Sequence, residues 1–333
     1  ELVGEYAELA NRVVKEKNSR KALITFLWNR FLNDENGFEE ELADLLTRIC
    51  TNRDEFELYE ELVRHQLAEQ QKRETRGEGG WSLDEEFLRD ILISLCRKSG
   101  DFEGLRKIAL EDLPSHYEPL VEELVSRGKA DEAAEVCRKA LAKAQDYQQS
   151  DIHEKLAELL AASGKDPEVL EHYMAAFPDS ISQEQILSEI KKISKKLGKW
   201  DYAKERLFAS RKEDYGSNYN VLAELFSDEK DFEKLRIIGA ECSDIGVMQS
   251  AALACSETKP EYSIEIYRKM VENLAGKGSG EAYRAAGEYA KQMKRLCKKT
   301  GKYEEFSEMM AELKVGYPKR RGLHMELDKA VRD

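Results

Sequence analysis

Proline and long apolar runs are scarce in this chain, and both absences bear on its fold. Only 6 of the 333 residues are proline, so long helices are rarely interrupted. No apolar run approaches the roughly 20 residues that a membrane-spanning helix needs, so we expect no membrane span. Charged residues make up 36% of the sequence, and Ala, Leu, Glu and Lys dominate it. This composition favours helices with a large solvent-exposed surface. They could be arranged as one repeat array or as two compact domains.

Closely spaced cysteines are absent as well. The six cysteines stand alone at positions 50, 96, 137, 242, 255 and 297, with no C-x-C or C-x-x-C motif. Most lie among apolar residues at helical spacing, which predicts buried free thiols in a reducing cytoplasm. A catalytic thiol needs a neighbouring base, and no histidine lies within a helical turn of Cys50, Cys96 or Cys297.

Histidine is rare, and its spacing argues against a metal site. None of the 5 histidines forms the H-x3-H pair of a helical metal site. The stretch GKGSG at 276–280 lacks the Gly-Lys-Ser/Thr ending of a phosphate-binding loop, so we interpret it as a linker. We therefore expect no metal, no cofactor and no enzymatic activity. No signal peptide is recognisable and the chain begins without methionine, so we expect a cytoplasmic piece of a longer protein.

The charge is negative overall and uneven along the chain. The formal net charge is −13, and residues 31–62 hold 11 acidic and 2 basic residues. Residues 291–333 hold 12 basic and 7 acidic residues. Overall acidity argues against a general nucleic-acid coat, because phosphate binding needs clustered Lys and Arg. A plain solvated helix face is the simplest interpretation of each uneven region.

A short pattern recurs along the sequence. LCRKSGDFEGL from Leu95 and LCKKTGKYEEF from Leu296 match at nearly every step, and looser copies lie before and between them. In each copy an apolar helical segment is followed by a polar turn, an acidic helix start and a second apolar segment. The position two residues past the turn glycine, or its equivalent, holds Phe56, Phe102, Ala130, Asp166, Trp200, Phe232, Tyr262 and Tyr303. Its middle intervals average about 32 residues, which is typical of a helix–turn–helix repeat.

The recurring turn has a simple physical interpretation. Glycines at 100, 128, 164, 198 and 301 can take the left-handed conformation that ends a helix. An Asp or Glu near the start of the next helix suits that helix's positive end. Cys96 and Cys297 precede their glycines by the same interval, and the corresponding positions of other copies hold Leu124, Leu160 and Leu225. We therefore predict that both cysteines are small apolar core residues.

The pattern resembles the tetratricopeptide repeat, most clearly in the unit around Gly128. That unit carries Tyr117, Leu120, Leu124, Ala133 and Ala140 at the family's positions. The Gly198 unit carries Trp200 and Ala203, whereas other units place Leu105, Val169, Leu235 and Phe306 where the family prefers alanine. The resemblance implies an all-α fold, a right-handed superhelix of about seven to eight antiparallel helix pairs.

The insertions between copies divide the chain. We predict N-terminal helical repeats over 1–70, a polar insertion loop over 71–82, and a central tetratricopeptide-like array over 83–275. A Gly-rich linker over 276–280 would follow, and then a C-terminal helical pair with a basic capping helix over 281–333.

The same resemblance implies a concave groove that binds a protein or peptide. The family's clamp for acidic peptide tails uses Lys and Asn on first helices, but Ser188 and Tyr219 occupy its Lys positions here, so that clamp is not expected. The residues that remain as candidates to line a groove are Lys191, Lys192, Lys195 and Asn220.

The basic end of the chain gives a second hypothesis. Lys319, Arg320 and Arg321 gather beside Pro318, and this ending resembles the C-terminal helical region of proteins with a SWIM-type zinc finger. The finger's C-x-C…C-x-H motif is absent. The resemblance implies an accessory module, with nucleic-acid binding through this basic end or through an upstream domain. The alternative is a capping helix with a polar outer face.

Overall fold

The computed structural model describes residues 2–34, 37–76, 85–212 and 218–332, and all regular structure in these ranges is helical. The predicted all-α class is confirmed. The helices form two compact units, residues 1–159 and 160–333, and the boundary between them lies within the ninth helix.

Unit 1 contains α1 (Leu2–Val13), α2 (Lys17–Leu32), α3 (Glu39–Ile49), α4 (Arg53–Thr75), α5 (Glu85–Ser99), α6 (Phe102–Glu111), α7 (Tyr117–Ser126), α8 (Ala130–Leu141) and most of α9 (Asp146–Ala161). Unit 2 contains α10 (Asp166–Ala176), α11 (Gln183–Lys196), α12 (Trp200–Ala209), α13 (Tyr219–Asp228), α14 (Phe232–Glu241), α15 (Ile245–Cys255), α16 (Pro260–Lys277), α17 (Gly280–Lys299), α18 (Tyr303–Gly316) and α19 (Arg321–Arg332).

Within each unit, many helices pack both on a sequence neighbour and on the helix after it. In unit 1, α1 packs on α3, α2 on α4 and α3 on α5. In unit 2, α13 packs on α15, α14 on α16 and α17 on α19. Stacked helix pairs require such contacts between a helix and the next but one, because a single pair buries too little apolar surface to be stable alone. Each unit therefore has the repeat-like architecture that the sequence predicts.

The predicted left-handed turn is present at each of the five glycines. Their φ angles lie between 66° and 75°. The residue after each glycine donates its backbone N–H to the carbonyl five residues earlier, as from Asp101 to Cys96 at 2.9 Å and from Lys302 to Cys297 at 2.8 Å. This is the Schellman hydrogen bond, which satisfies a carbonyl that the helix end leaves open.

The next helix begins directly after this turn. We call each such turn, with the helix ends on either side of it, a joint. Six of the eight positions predicted to lie two residues past the turn are first residues of helices: Phe102, Ala130, Asp166, Trp200, Phe232 and Tyr303. The other two lie slightly further in, since α4 begins at Arg53 and α16 at Pro260.

One joint has the turn without the glycine. Lys230 has a φ of 56° and is the one non-glycine residue with positive φ in the described chain. Asp231 N–H donates to Phe226 O at 2.9 Å, as in the other joints. The position equivalent to Cys96 is therefore Phe226, and the predicted Leu225 is wrong by one residue. The helix start at Phe232 is nevertheless as predicted, so the error lies only in the alignment of the preceding helix.

Both predicted interruptions begin later in the chain than expected. Helix α4 continues to Thr75, since Gln, Lys, Arg and Glu all favour helix, so the loop predicted over 71–82 begins inside a helix. Residues 77–82 lie outside the described ranges. Helix α16 continues to Lys277, and Gly278, with a φ of 77°, ends it. Ser279 Oγ then caps α17 by accepting the Ala282 N–H at 3.1 Å, so the predicted linker is reduced to two residues.

A buried ion pair joins three helices of unit 1. Arg20 in α2 donates to both carboxylate oxygens of Glu55 in α4, at 2.5 and 3.0 Å. Its guanidinium also donates to the Ile49 carbonyl at the end of α3. Burial opposes ionisation of Glu55, but hydrogen bonds from Arg20 and the Thr51 N–H outweigh it and lower the pKa of Glu55 to about 2. The pair thus fixes α2, α3 and α4 at one point.

Replacing Lys230 by glycine should raise the free energy of unfolding by about 1 kcal/mol, because glycine takes the left-handed conformation without a steric cost. Urea unfolding followed by circular dichroism measures the change. Lys192→Gly is the matched control in the exposed interior of α11, where glycine should lower the same quantity by about 1 kcal/mol. A Lys230→Gly variant no more stable than the wild type would contradict this account of the joint.

Replacing Glu55 by glutamine should cost about 3–5 kcal/mol at neutral pH, because Arg20 is left buried and unpaired. The pKa of Glu55 falls on folding from 4.5 to about 2, so its stabilisation is complete above pH 4.5 and is lost as pH falls through 2. The stability gap between wild type and variant, measured by urea unfolding, should shrink across that window. Glu57→Gln is the exposed control on the same helix and should change stability by less than about 1 kcal/mol. An equal gap at all pH values would refute the assignment.

Candidate functional site

The cysteines are core residues, as predicted. All six are free and buried. Burial raises the pKa of Cys50 and Cys137 to about 12 and that of Cys96 and Cys255 to about 11. A thiol with so high a pKa stays protonated near neutral pH and is a poor nucleophile. The repeated Leu-Cys motif therefore marks a structural joint.

Two of the predicted groove lysines surround an indole ring. The Nζ atoms of Lys191 and Lys195 in α11 lie 5.8 and 5.7 Å from the ring centre of Trp200, and Lys204 Nζ lies at 5.8 Å. Glu229 accepts a hydrogen bond from Lys204 Nζ at 3.3 Å, and Lys191 Nζ lies 3.9 Å from its carboxylate. Burial opposes ionisation of Glu229, but the Trp200 indole and the two lysines outweigh it and lower its pKa. Lys191 thus helps to hold α11, α12 and the turn after α13 together.

The other two predicted groove residues lie apart from this cluster. Lys192 is exposed and bonds to Glu189 in its own helix, at 3.1 Å. Asn220 is exposed on α13, and no described hydrogen bond or ion pair links it to the lysines of α11. The neighbouring Asn218 is fully buried, accepting the Lys212 N–H at 2.9 Å and donating to Ser210 O at 3.0 Å. The described hydrogen bonds and ion pairs thus do not join Lys191, Lys192, Lys195 and Asn220 into one cluster, and their role in lining a groove stays a prediction.

The basic residues near the chain end are partly used inside the fold. Arg320 donates to the Ala275 carbonyl near the end of α16, and its guanidinium lies 4.8 Å from the Tyr317 ring centre. Lys294 is buried and donates to Ala330 O at 3.2 Å at the end of α19. Cations at helix C-termini are favoured by the open carbonyls there. Lys319 and Arg321 are exposed, so Arg320 is the one member of the predicted trio with a described contact inside the fold, and the basic patch stays a prediction.

A groove between α15 and α17 was not predicted. It has a volume of about 390 Å³ and is lined by Gln249, Leu253, Tyr267, Ala285, Glu288, Tyr289 and Gln292. Tyr289 stacks on Tyr267, with ring centres 6.0 Å apart, and its hydroxyl donates to Gln249 Oε1 at 3.0 Å. Leu253 is 55% exposed although it is a large apolar residue. An apolar floor with a few fixed polar groups is the usual lining of a binding site.

The helix pattern explains why Leu253 faces outward. The buried residues of α15 are Val247, Met248, Ala251, Ala252 and Cys255. These positions recur at three- and four-residue spacing on one side of the helix, and Leu253 falls outside that set. An apolar residue off the buried face of a predicted helix was the one sequence signal for this groove. Tyr289 gave no such signal, because it also fits a half-buried core position.

In the described part of the chain, no group of three or more His, Cys, Asp or Glu side chains is placed to hold a metal ion. None of its helices is both long and apolar enough to cross a membrane.

Comparison with known proteins does not assign the chain to a family. No protein-family model matches it, and no curated protein matches it. One solved structure that it resembles is described as a "Circular tandem repeat protein with novel repeat topology and enhanced subunit contact surfaces". The identity is 14%, the match covers 99% of this chain and 87% of that chain, and the TM-score is 0.23. A TM-score this low does not establish a shared fold.

The variants Cys96→Ala and Cys297→Ala should each lower the free energy of unfolding by about 1 kcal/mol, because each leaves a small cavity in the core. Urea unfolding measures this cost. In the wild type, iodoacetamide should react at pH 8 at least about tenfold faster with the urea-unfolded chain than with the native chain. Fast alkylation of Cys96 in the native chain, identified by mass spectrometry, would show that the thiol is accessible and reactive after all.

Proposed function

We propose that the chain is a non-catalytic scaffold that binds a peptide segment of a partner protein in the groove between α15 and α17. The observation that carries this proposal is the exposed Leu253 beside the stacked Tyr289 and Tyr267. An apolar side chain of a partner would be removed from water there, and burial of apolar surface is the main favourable term in association.

The polar groups around the groove indicate what the rest of the peptide contributes. Gln249 accepts the Tyr289 hydroxyl through Oε1, which leaves its amide N–H groups available to carbonyls of a bound backbone. Glu288 is exposed but pairs with Lys291 at 3.1 Å. The groove is therefore nearly neutral, and an apolar anchor rather than a charged one should dominate recognition.

Three further features belong to the same proposal. The raised pKa of five of the buried thiols, those of Cys50, Cys96, Cys137, Cys255 and Cys297, supports a non-catalytic role, because it makes them poor nucleophiles. Six free cysteines support a reducing, cytoplasmic location. The recurring joint supports a tetratricopeptide-like interpretation of the helix pairs. The SWIM-type accessory hypothesis has no comparable support, since Arg320 is held within the fold.

A random peptide library selected against the purified chain provides the test. The strongest binders should share an apolar or aromatic anchor, and their dissociation constants can be measured by fluorescence anisotropy. Leu253→Glu should weaken binding by about tenfold or more, because it places a charge where the anchor is buried. Tyr289→Ala should act in the same direction.

The matched control is Val315→Glu, which places the same charge at an exposed apolar residue of α18 in the same unit. It should leave peptide affinity unchanged. If the library yields no binder, or if the binders tolerate Leu253→Glu as well as Val315→Glu, the groove is not the binding site and the proposal fails.

A further inference from the structure

The first helix presents an apolar stripe to solvent. Tyr6, Leu9 and Val13 in α1 are 61%, 45% and 66% exposed. The opposite side of α1 carries the buried Ala7 and packs on α3. Helix α1 is therefore already held in unit 1 by its buried side. The fold of the unit does not use the outward stripe. Exposed apolar side chains grouped on one helix face mark an interaction surface more often than scattered ones do.

The spacing of the stripe fits helix-to-helix packing. Leu9 follows Tyr6 by three residues and Val13 follows Leu9 by four, which is the alternation of the two apolar positions of a heptad. Residues at these positions form a continuous seam along one side of a helix, into which the side chains of a second helix can interlock. The occupant best matched to the stripe is thus another amphipathic helix.

Two charged residues beside the stripe indicate which amphipathic helix packs on it. Glu5 and Arg12 are also seven residues apart, so they lie on the same flank of the stripe, both exposed. Neither has an ion-pair partner among the described residues. A two-fold axis that makes two copies of α1 antiparallel brings identical flanks side by side, so Glu5 of each copy faces Arg12 of the other. A parallel pair would instead place this flank beside the opposite one.

We propose that α1 is a self-association surface, on which the α1 of a second copy of this chain packs antiparallel. Leu9 meets its own counterpart near the two-fold axis, Tyr6 packs near the partner's Val13, and reciprocal Glu5–Arg12 pairs flank the seam. This surface lies in unit 1 and does not depend on the groove of unit 2 or on its occupant.

The interface is small. The net charge of the unit that carries it predicts how dimerisation responds to salt. Two helices of 12 residues bury less area than a typical permanent interface, so the dimer should exchange readily with monomer. Unit 1 holds 36 acidic and 23 basic residues, whereas unit 2 holds 30 of each, so the excess negative charge lies in the unit that associates. Screening this repulsion should favour the dimer at about 0.15 M salt relative to about 0.01 M.

Sedimentation velocity of the full chain, from about 10 µM to about 1 mM at about 0.15 M salt, tests the proposal. The wild type should shift from monomer to dimer with concentration. Leu9→Asp should weaken dimerisation at least about tenfold, because it brings two carboxylates together at the centre of the seam. Val315→Asp, at an exposed apolar residue of α18, should leave it unchanged. Circular dichroism confirms that each variant is folded.

A charge exchange tests the antiparallel geometry. Glu5→Arg and Arg12→Glu should each weaken the dimer, since each places like charges opposite one another, and the double variant should restore it. A wild type that stays monomeric throughout, or a Leu9→Asp variant that dimerises like the wild type, would overturn the proposal. A double variant no stronger than the single ones would overturn the antiparallel arrangement.

Discussion

The hydrogen bond across the left-handed turn is the interaction on which the helix pairs depend. It runs from the residue after the turn to a carbonyl five residues earlier, as from Lys129 to Leu124 at 2.9 Å. It ends one helix and leaves the chain pointing into the next, so both helices of a pair begin their contact at a fixed position. Neighbouring pairs then stack on one another. The same turn geometry, repeated along the chain, thus builds an apolar core.

Open carbonyls at helix ends also decide where several basic residues go. Arg320 reaches the end of α16 and Lys294 reaches the end of α19, where the partial negative charge of the helix favours a cation. In unit 1, Arg20 likewise takes the carbonyl at the end of α3. Basic residues that the sequence suggests for an outer binding surface are thus partly used to hold helices together. This weakens the case for a nucleic-acid role.

The two surfaces proposed for binding have a common origin. In a stacked array the buried side of each helix is set by contacts with its neighbours, and apolar residues off that side remain in water. Leu253 in α15 is one such residue, and Tyr6, Leu9 and Val13 in α1 form another group. The groove and the α1 stripe lie in different units, so binding of a peptide and pairing of two chains need not compete for the same residues.

The sequence by itself determined the helical class, the repeat, the left-handed glycines and the buried cysteines, because these depend on local spacing and on the special conformation of glycine. It also predicted the helix start at Phe232, where no glycine marks the turn, but it placed the position equivalent to Cys96 one residue too early, at Leu225 instead of Phe226. It also could not show that Lys191 packs on Trp200, that Arg320 is held by α16, or that α15 and α17 leave a groove between them. Those features join residues far apart along the chain, and only the tertiary packing decides which of them meet.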